Sequence, residues 1–264
     1  MNGASQKAGV LRIERIEHEH LRALLEPSGV LALRLPMLDP QIARALADKV
    51  ESFAFQAYAV EPGFHYFGLP LFEAHDPNAR ERYFREAPII SERIRRAAWP
   101  ISPLDLVIGS IRVAWPAGVR TLHLGGRACA VGVLRTLKCA RTVEPHVDDP
   151  IADAGYHADA LSILATLSAL VYLDAPPEGG RIRLWKKRLA REAYDAARRH
   201  DSEYALSEEV LGPPAAILQP EPGEAIIFMA SRPHAITSFD TGRRITASTF
   251  FNFHGHEQAI STHA

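Results

Sequence analysis

From residue 106 to residue 253 the chain is cut into short runs of β-branched, aromatic and aliphatic residues, each closed by Gly, Pro or Asp. "LVIGSIRVAW", "RACAVGVLRTLKC", "LSALVYLDA", "RIRLW", "AAILQP", "EAIIFMA" and "RRITASTFFNF" have strand composition and strand length. Such runs, separated by turn residues, predict antiparallel sheets or a jelly roll. The expected fold class is therefore mostly β with flanking helices: a double-stranded β-helix (jelly-roll, cupin-like) core over 101–253, and an N-terminal helical region packed outside it.

The N-terminal part reads differently. Residues 1–10 look like a flexible tail, and 11–100 a helix-rich region. In it "EHEHLRALLEPSG" and "DPQIARALADKVESFAFQAY" show helical spacing, with Asp39 as an N-cap, on either side of a short strand, "VLALRLP". Residues 76–98 again have helical character, although Pro88 should interrupt them. A charged, alanine-rich segment at 186–210 reads as a helical insertion between strands, either a solvated surface helix or a lid. Residues 254–264, which include His254 and His256, read as a C-terminal tail.

Bulk properties narrow the function. A chain of 264 residues with 47% hydrophobic content can bury one substantial core, so a single domain is expected. Thirty Lys and Arg against 31 Asp and Glu leave a formal charge of −1, without the basic field that nucleic acid or an anionic membrane requires. Cys129 and Cys139 form no Cys-x-x-Cys pair, which suits a reducing compartment. With no signal-like opening and no long apolar run, a cytoplasmic protein with a small-molecule partner is expected. Oligomeric state is left open.

Two stretches carry chemistry. "EPHVDDP" at 144–150 sets His146, Asp148 and Asp149 between two prolines, either as a solvated turn or as two arms of a metal site. "PGEAIIFMASRPHAI" ends a strand near Phe228 and places His234 after a small turn; "GRRITASTFF" follows, with Arg244 ten residues on. Strand alternation sends Arg244, Thr246, Ser248 and Asn252 to one face and Ile245, Ala247, Phe251 and Phe253 to the other. If the polar face lines an interior pocket, a buried arginine there needs an anion.

In order, His-x-Asp in "HVD", the Gly-Gly turn in "LVYLDAPPEGGRIRLW", the distal histidine and "GRRIT" resemble the Fe(II)- and 2-oxoglutarate-dependent dioxygenases over about half the chain. The resemblance implies His146, Asp148 and His234 as catalytic iron ligands, a facial set that leaves three positions open for 2-oxoglutarate and O2. It also implies Arg244 and Thr246 as the grip on the cosubstrate's far carboxylate, since a guanidinium can hold a carboxylate through two parallel hydrogen bonds. The activity implied is oxidation, by preference hydroxylation, of a C–H bond of a small molecule such as a free amino acid or natural-product intermediate, with succinate and CO2 as co-products. In the halogenating branch the carboxylate position is Gly or Ala; Asp148 here argues against that outcome.

Other positions stay open between two readings. Asp149 is a loop acid or a partner for a cationic substrate group, and a local bulge could make it the ligand in place of Asp148. Arg135 contacts cosubstrate or substrate, or is an ordinary surface arginine; Arg243 should face away from the pocket. In "GFHYFGLPLF" at 63–72, His65 and Tyr66 are packing residues or a pocket wall, and Trp185 and His123 are further substrate-site candidates. The alternatives for the whole chain are a cupin-type metal enzyme that does not use 2-oxoglutarate and a non-catalytic jelly-roll binding module. A cupin has no need of the Arg244 clamp, and a binding module has no need of the full ligand set.

Overall fold

The computed structural model describes residues 9–74, 76–98, 100–202 and 204–264; residues 1–8 of the expected tail lie outside them. The N-terminal part contains β1 (Val10–Arg12), α1 (His18–Leu25), β2 (Ala32–Pro36), α2 (Pro40–Glu51), β3 (Gln56–Ala57), β4 (Phe64–Gly68) and α3 (Pro77–Ala97). Next come α4 (Pro103–Ala114), β5 (Val119–Thr121), β6 (His123–Leu124), β7 (Arg127–Ala128), β8 (Val133–Leu137), β9 (Val143–His146) and α5 (Pro150–Asp153). The remainder is β10 (Ala165–Asp174), β11 (Ile182–Leu184), α6 (Arg191–Ala197), α7 (Glu208–Leu211), β12 (Ala216–Leu218), β13 (Glu224–Met229), β14 (His234–Ile236), β15 (Arg244–Phe253) and β16 (Ile260–His263).

Two sheets form the jelly roll. The larger runs β1-β2-β13-β10-β15-β8-β4-β3, with β16 joining β15 to β5; the smaller runs β12-β11-β14-β9. The long central strands of the larger sheet, β10 and β15, are antiparallel from Ala165↔Phe253 to Tyr172↔Thr246. The outer face of β10 carries Leu167, Ala169 and Val171, which pack with Leu21 and Leu24 of α1 and Val107 and Ile111 of α4. The inner face carries Leu170 and Tyr172, which meet Ile182, Leu184 and Leu218 of the smaller sheet. Being covered on both sides, β10 is buried along nearly its whole length, including the polar Thr166 and Ser168. Each fully buried Leu or Val here contributes about 1.5–3 kcal/mol of transfer free energy.

Several sequence expectations need correction. "LVIGSIRVAW" is not a strand but most of α4, whose N-cap Ser102 accepts from the Asp105 amide and is followed by Pro103. Leu104, Val107, Ile111 and Ala114 recur at helical spacing on its buried face, and that periodicity overrides the β-branched composition. Pro88 does not interrupt α3, which is continuous over 21 residues. The proline removes one intrahelical donor, while Tyr83, Ala87, Ile94 and Ala97 hold both halves of the helix against the body of the protein.

The 11–100 region also supplies strands: β2 pairs with β13 and β4 with β8, so it extends the large sheet as well as covering it. Residue 10 belongs to β1, paired with β2. The expected C-terminal tail, 254–264, instead folds back as β16, paired with β15 and β5. His254 bridges Ser162 and Ser261, and His256 stacks on Trp115, so neither is loose. No helix among the described residues is long and apolar enough to cross a membrane.

Candidate active site

Cross-strand pairing assembles the His/Asp cluster. In the smaller sheet His146 at the end of β9 lies directly opposite His234 at the start of β14, and their ring centroids are 4.2 Å apart. Asp148, two residues past His146, is anchored by its own amide, which donates to the Ala230 carbonyl. Its carboxylate reaches both rings, with Oδ2 3.2 Å from His234 Nε2 and Oδ1 3.9 Å from His146 Nε2. One ligand atom from each of the three residues falls within 4.8 Å of the others.

The second ring nitrogens explain the orientation. His146 Nδ1 lies 2.8 Å from the Glu144 carbonyl and His234 Nδ1 lies 3.0 Å from the Arg232 carbonyl. A carbonyl can only accept, so each Nδ1 donates, which leaves Nε2 of each ring as the nitrogen that faces Asp148 and is available to a metal. Burial, reinforced by the charge of His234, pulls the His146 pKa down to about 4 against the opposing pull of Asp148. For Asp148 burial acts upward, but the two histidines and Arg135 outweigh it and hold the carboxyl at about 2. The cluster is thus a neutral His146 imidazole and an ionised carboxylate facing His234, a donor set that fits a divalent non-heme metal with open positions.

The cluster opens on a cavity of about 510 Å³ that also reaches Arg135, Arg244, Thr246, Phe228 and Phe250. Arg244 is 1% exposed and stands on β15 in the large sheet. Its Nη2 donates to the Tyr172 hydroxyl at 2.9 Å, while Nε is buried with no hydrogen-bond partner. Thr246 Oγ1 is buried and unpartnered as well. Two unmet polar atoms on one strand face, one of them on a cation, make that face of the cavity suited to an anion. Arg135, across the ladder from Thr246, donates to the Tyr58 hydroxyl at 2.8 Å and to Ser248 Oγ at 2.6 Å. Arg243 points away, as its position on the strand requires, and pairs with Asp48, Glu51 and Asp174.

The remaining candidates separate. Asp149 lines the cavity, but its Oδ1 caps α5 by accepting from the Ile151 and Ala152 amides. Tyr66 does not reach the His/Asp cavity; it borders a smaller one of about 210 Å³ and packs on Tyr58, which does reach it. Trp185 is 2% exposed and its Nε1 donates to the Gly212 carbonyl, a packing role with Leu206 and Leu211. His123 sits on the exposed β6 hairpin with Nδ1 beside the Thr121 carbonyl, away from the cavity. His65 also lies outside the cavity lining, on β4 opposite Thr136.

Sequence reasoning missed Tyr58 and Tyr172, the hydroxyl partners of the two arginines, and the contribution of the 186–210 insertion. Tyr172 sits opposite Thr246, a relation visible only once the β10–β15 register is known. Among its described residues the insertion is less helical than expected, with helix at α6 and α7, and Arg188, Leu189, Tyr194 and Tyr204 from it line the cavity.

No protein-family model matches the chain. It is similar to an N-substituted L-amino acid dioxygenase from Burkholderia ambifaria AMMD, with a TM-score of 0.61 and 17% identity, covering 94% of this chain and 91% of that one. The chain has the fold of the 2-oxoglutarate–Fe(II) oxygenases. HygX from Streptomyces hygroscopicus, solved with nickel and 2-oxoglutarate bound, matches at a TM-score of 0.52 and 14% identity over 89% of this chain and 86% of that one. In sequence the chain is 27% identical over 188 residues to the L-gamma-glutamyl-L-propargylglycine hydroxylase of Streptantibioticus cattleyicolor, covering 70% of this chain and 68% of that protein.

Proposed function

We propose that this chain is a 2-oxoglutarate-dependent Fe(II) oxygenase that hydroxylates a C–H bond of a small, amino-acid-derived molecule, with succinate and CO2 as co-products. The observation that carries the reading is the meeting, in one cavity, of the His146, Asp148 and His234 cluster with the unpartnered Arg244 Nε and Thr246 Oγ1. A metal site alone would fit many enzymes. A buried cation left without an anion in the same cavity asks for an acidic cosubstrate as well.

In this reading His146, Asp148 and His234 hold the iron, and Arg244 with Thr246 holds the far carboxylate of 2-oxoglutarate. When bound, iron and 2-oxoglutarate activate dioxygen and supply the oxidising power for the C–H bond. The Glu144 and Arg232 carbonyls keep both imidazoles in the ligating tautomer. The Tyr172 hydroxyl fixes the Arg244 plane, and Leu170, Ile182, Phe228 and Ile236 wall the cavity with apolar surface, which strengthens every charge interaction inside it. Arg135, braced by Tyr58 and Ser248, turns its remaining donors toward an anionic group of cosubstrate or substrate. Because Asp148 fills the carboxylate position, oxygen and not halide is delivered to the product.

The names of the two similar proteins, a γ-glutamyl amino-acid hydroxylase and an N-substituted amino-acid dioxygenase, support an amino-acid-derived substrate. The test is succinate formation from 2-oxoglutarate with added Fe(II), ascorbate and O2, stimulated by members of an N-substituted and γ-glutamyl amino-acid panel. Absence of any 2-oxoglutarate binding or turnover would refute the assignment.

A further inference from the structure

Beyond the metal cluster and the Arg244 clamp, the cavity has a second cationic end. Arg188, at the start of the insertion, lines the cavity, and its Nη2 donates to the Leu164 carbonyl at 2.9 Å. Leu164 immediately precedes β10. Two residues on, the Thr166 carbonyl accepts from the Ala230 and Ser231 amides, which sets Arg232 beside the same strand end. Arg232 is half-buried, and its Nε has no hydrogen-bond partner. Among the described residues no carboxylate pairs with either guanidinium within 4.0 Å.

Strand β10 shows where this end lies. Tyr172, which holds Arg244, is eight residues from Leu164, or about 25 Å along an extended strand. The metal cluster attaches near the Leu164 end, because Asp148 hangs on Ala230 and Ala230 hangs on Thr166. Arg188 therefore stands far from the cosubstrate clamp and on the metal-proximal end of the cavity. An anion bound there belongs to the other reactant.

We propose that Arg188, with Arg232 behind it, is the specificity-determining site for a carboxylate of the substrate, so that the chain acts on small carboxylic acids and discriminates against their neutral amides and esters. A carboxylate set against the cavity-lining Arg188 guanidinium receives charge-assisted hydrogen bonds, with the positive charge of Arg232 adding to the attraction. The assignment of Arg188 to the second reactant rests on the oxygenase reading of the cavity.

The test uses Ni(II)-loaded full-length protein, with and without 2-oxoglutarate, titrated calorimetrically with N-acetyl and γ-glutamyl L-amino acids and their matched carboxamides. Acids should bind the unmodified protein at least ~30-fold more tightly than their amides, the equivalent of one charge-assisted interaction. Arg188→Gln should reduce that ratio to within ~3-fold while leaving 2-oxoglutarate affinity unchanged, and Arg188→Lys should restore part of it. Equal affinity for acid and amide, an unaltered ratio in Arg188→Gln, or failure of every acid in the panel to bind would overturn the proposal. Failure of 2-oxoglutarate to bind would instead refute the oxygenase reading, independently of the acid-to-amide ratio measured without it.

Discussion

Alanine at position 244 is the most informative single change. The guanidinium is 1% exposed, and one nitrogen is engaged by Tyr172, which leaves Nε and Nη1 to meet the far carboxylate of 2-oxoglutarate. Two hydrogen bonds to a charged partner, at about 1.5–3 kcal/mol each, set the scale. The expected loss of cosubstrate affinity is about 3–5 kcal/mol, or roughly 150-fold to several-thousand-fold in Kd. Calorimetric titration of 2-oxoglutarate into Ni(II)-loaded Arg244→Ala measures this directly, and metal content checks that the His/Asp cluster is intact. Arg243→Ala is the matched control. Its guanidinium ties α2 to the sheet through Asp48, Glu51 and Asp174, so it should lower stability by about 1 kcal/mol and leave affinity alone. Affinity retained within about threefold in Arg244→Ala, on a scale where 1.4 kcal/mol is tenfold, would falsify the clamp.

His146→Ala and His234→Ala should each abolish stoichiometric Fe(II) or Ni(II) binding in equilibrium dialysis, while circular dichroism of the metal-free protein stays native. Ser102→Ala removes the α4 N-cap and should lower stability by about 1 kcal/mol in a denaturant melt. His263 is 1% exposed and burial pulls its pKa down to about 4, so it is neutral in the fold but takes a proton in the unfolded chain below about 6.5. Stability should therefore fall as pH drops from about 6.5 to 4, with His263 contributing up to about 3 kcal/mol of the loss; His263→Asn should flatten that limb of the profile, and an unchanged profile counts against it. Product made under ¹⁸O2 in chloride- or bromide-rich buffer should carry labelled oxygen and no halogen by mass spectrometry, and a halogenated product would remove Asp148 from the metal.

The jelly-roll class was legible because turn residues punctuate β-prone runs, and the cavity face of β15 was legible because strand alternation is a local rule. Arg244 and Thr246 do share the cavity while Ile245 and Ala247 pack against the helices. What failed was composition read in place of period. The Ile and Val residues of α4 look like strand, yet Ser102, Pro103 and the spacing of Leu104, Val107 and Ile111 already mark a helix. Long-range pairing lies beyond sequence alone: nothing near Tyr172 announces Thr246, and nothing near Pro88 announces the packing that keeps α3 whole. The aromatic and histidine candidates Tyr66, Trp185 and His123 were drawn from residue type without a partner, and each found a local structural use instead.

The His/Asp cluster is built on the smaller sheet and the arginine clamp on the larger one, so the distance between them is set by how far apart two packed sheets stand. In the proposed oxygenase reading the cavity acts as a caliper for dicarboxylates, with the spacing of the sheets selecting chain length. A 2-oxo diacid one methylene shorter or longer should meet the same charges at the wrong separation and satisfy only one jaw. Substitutions deep between the sheets, remote from either jaw, should alter which diacid is accepted before they alter the chemistry performed with it.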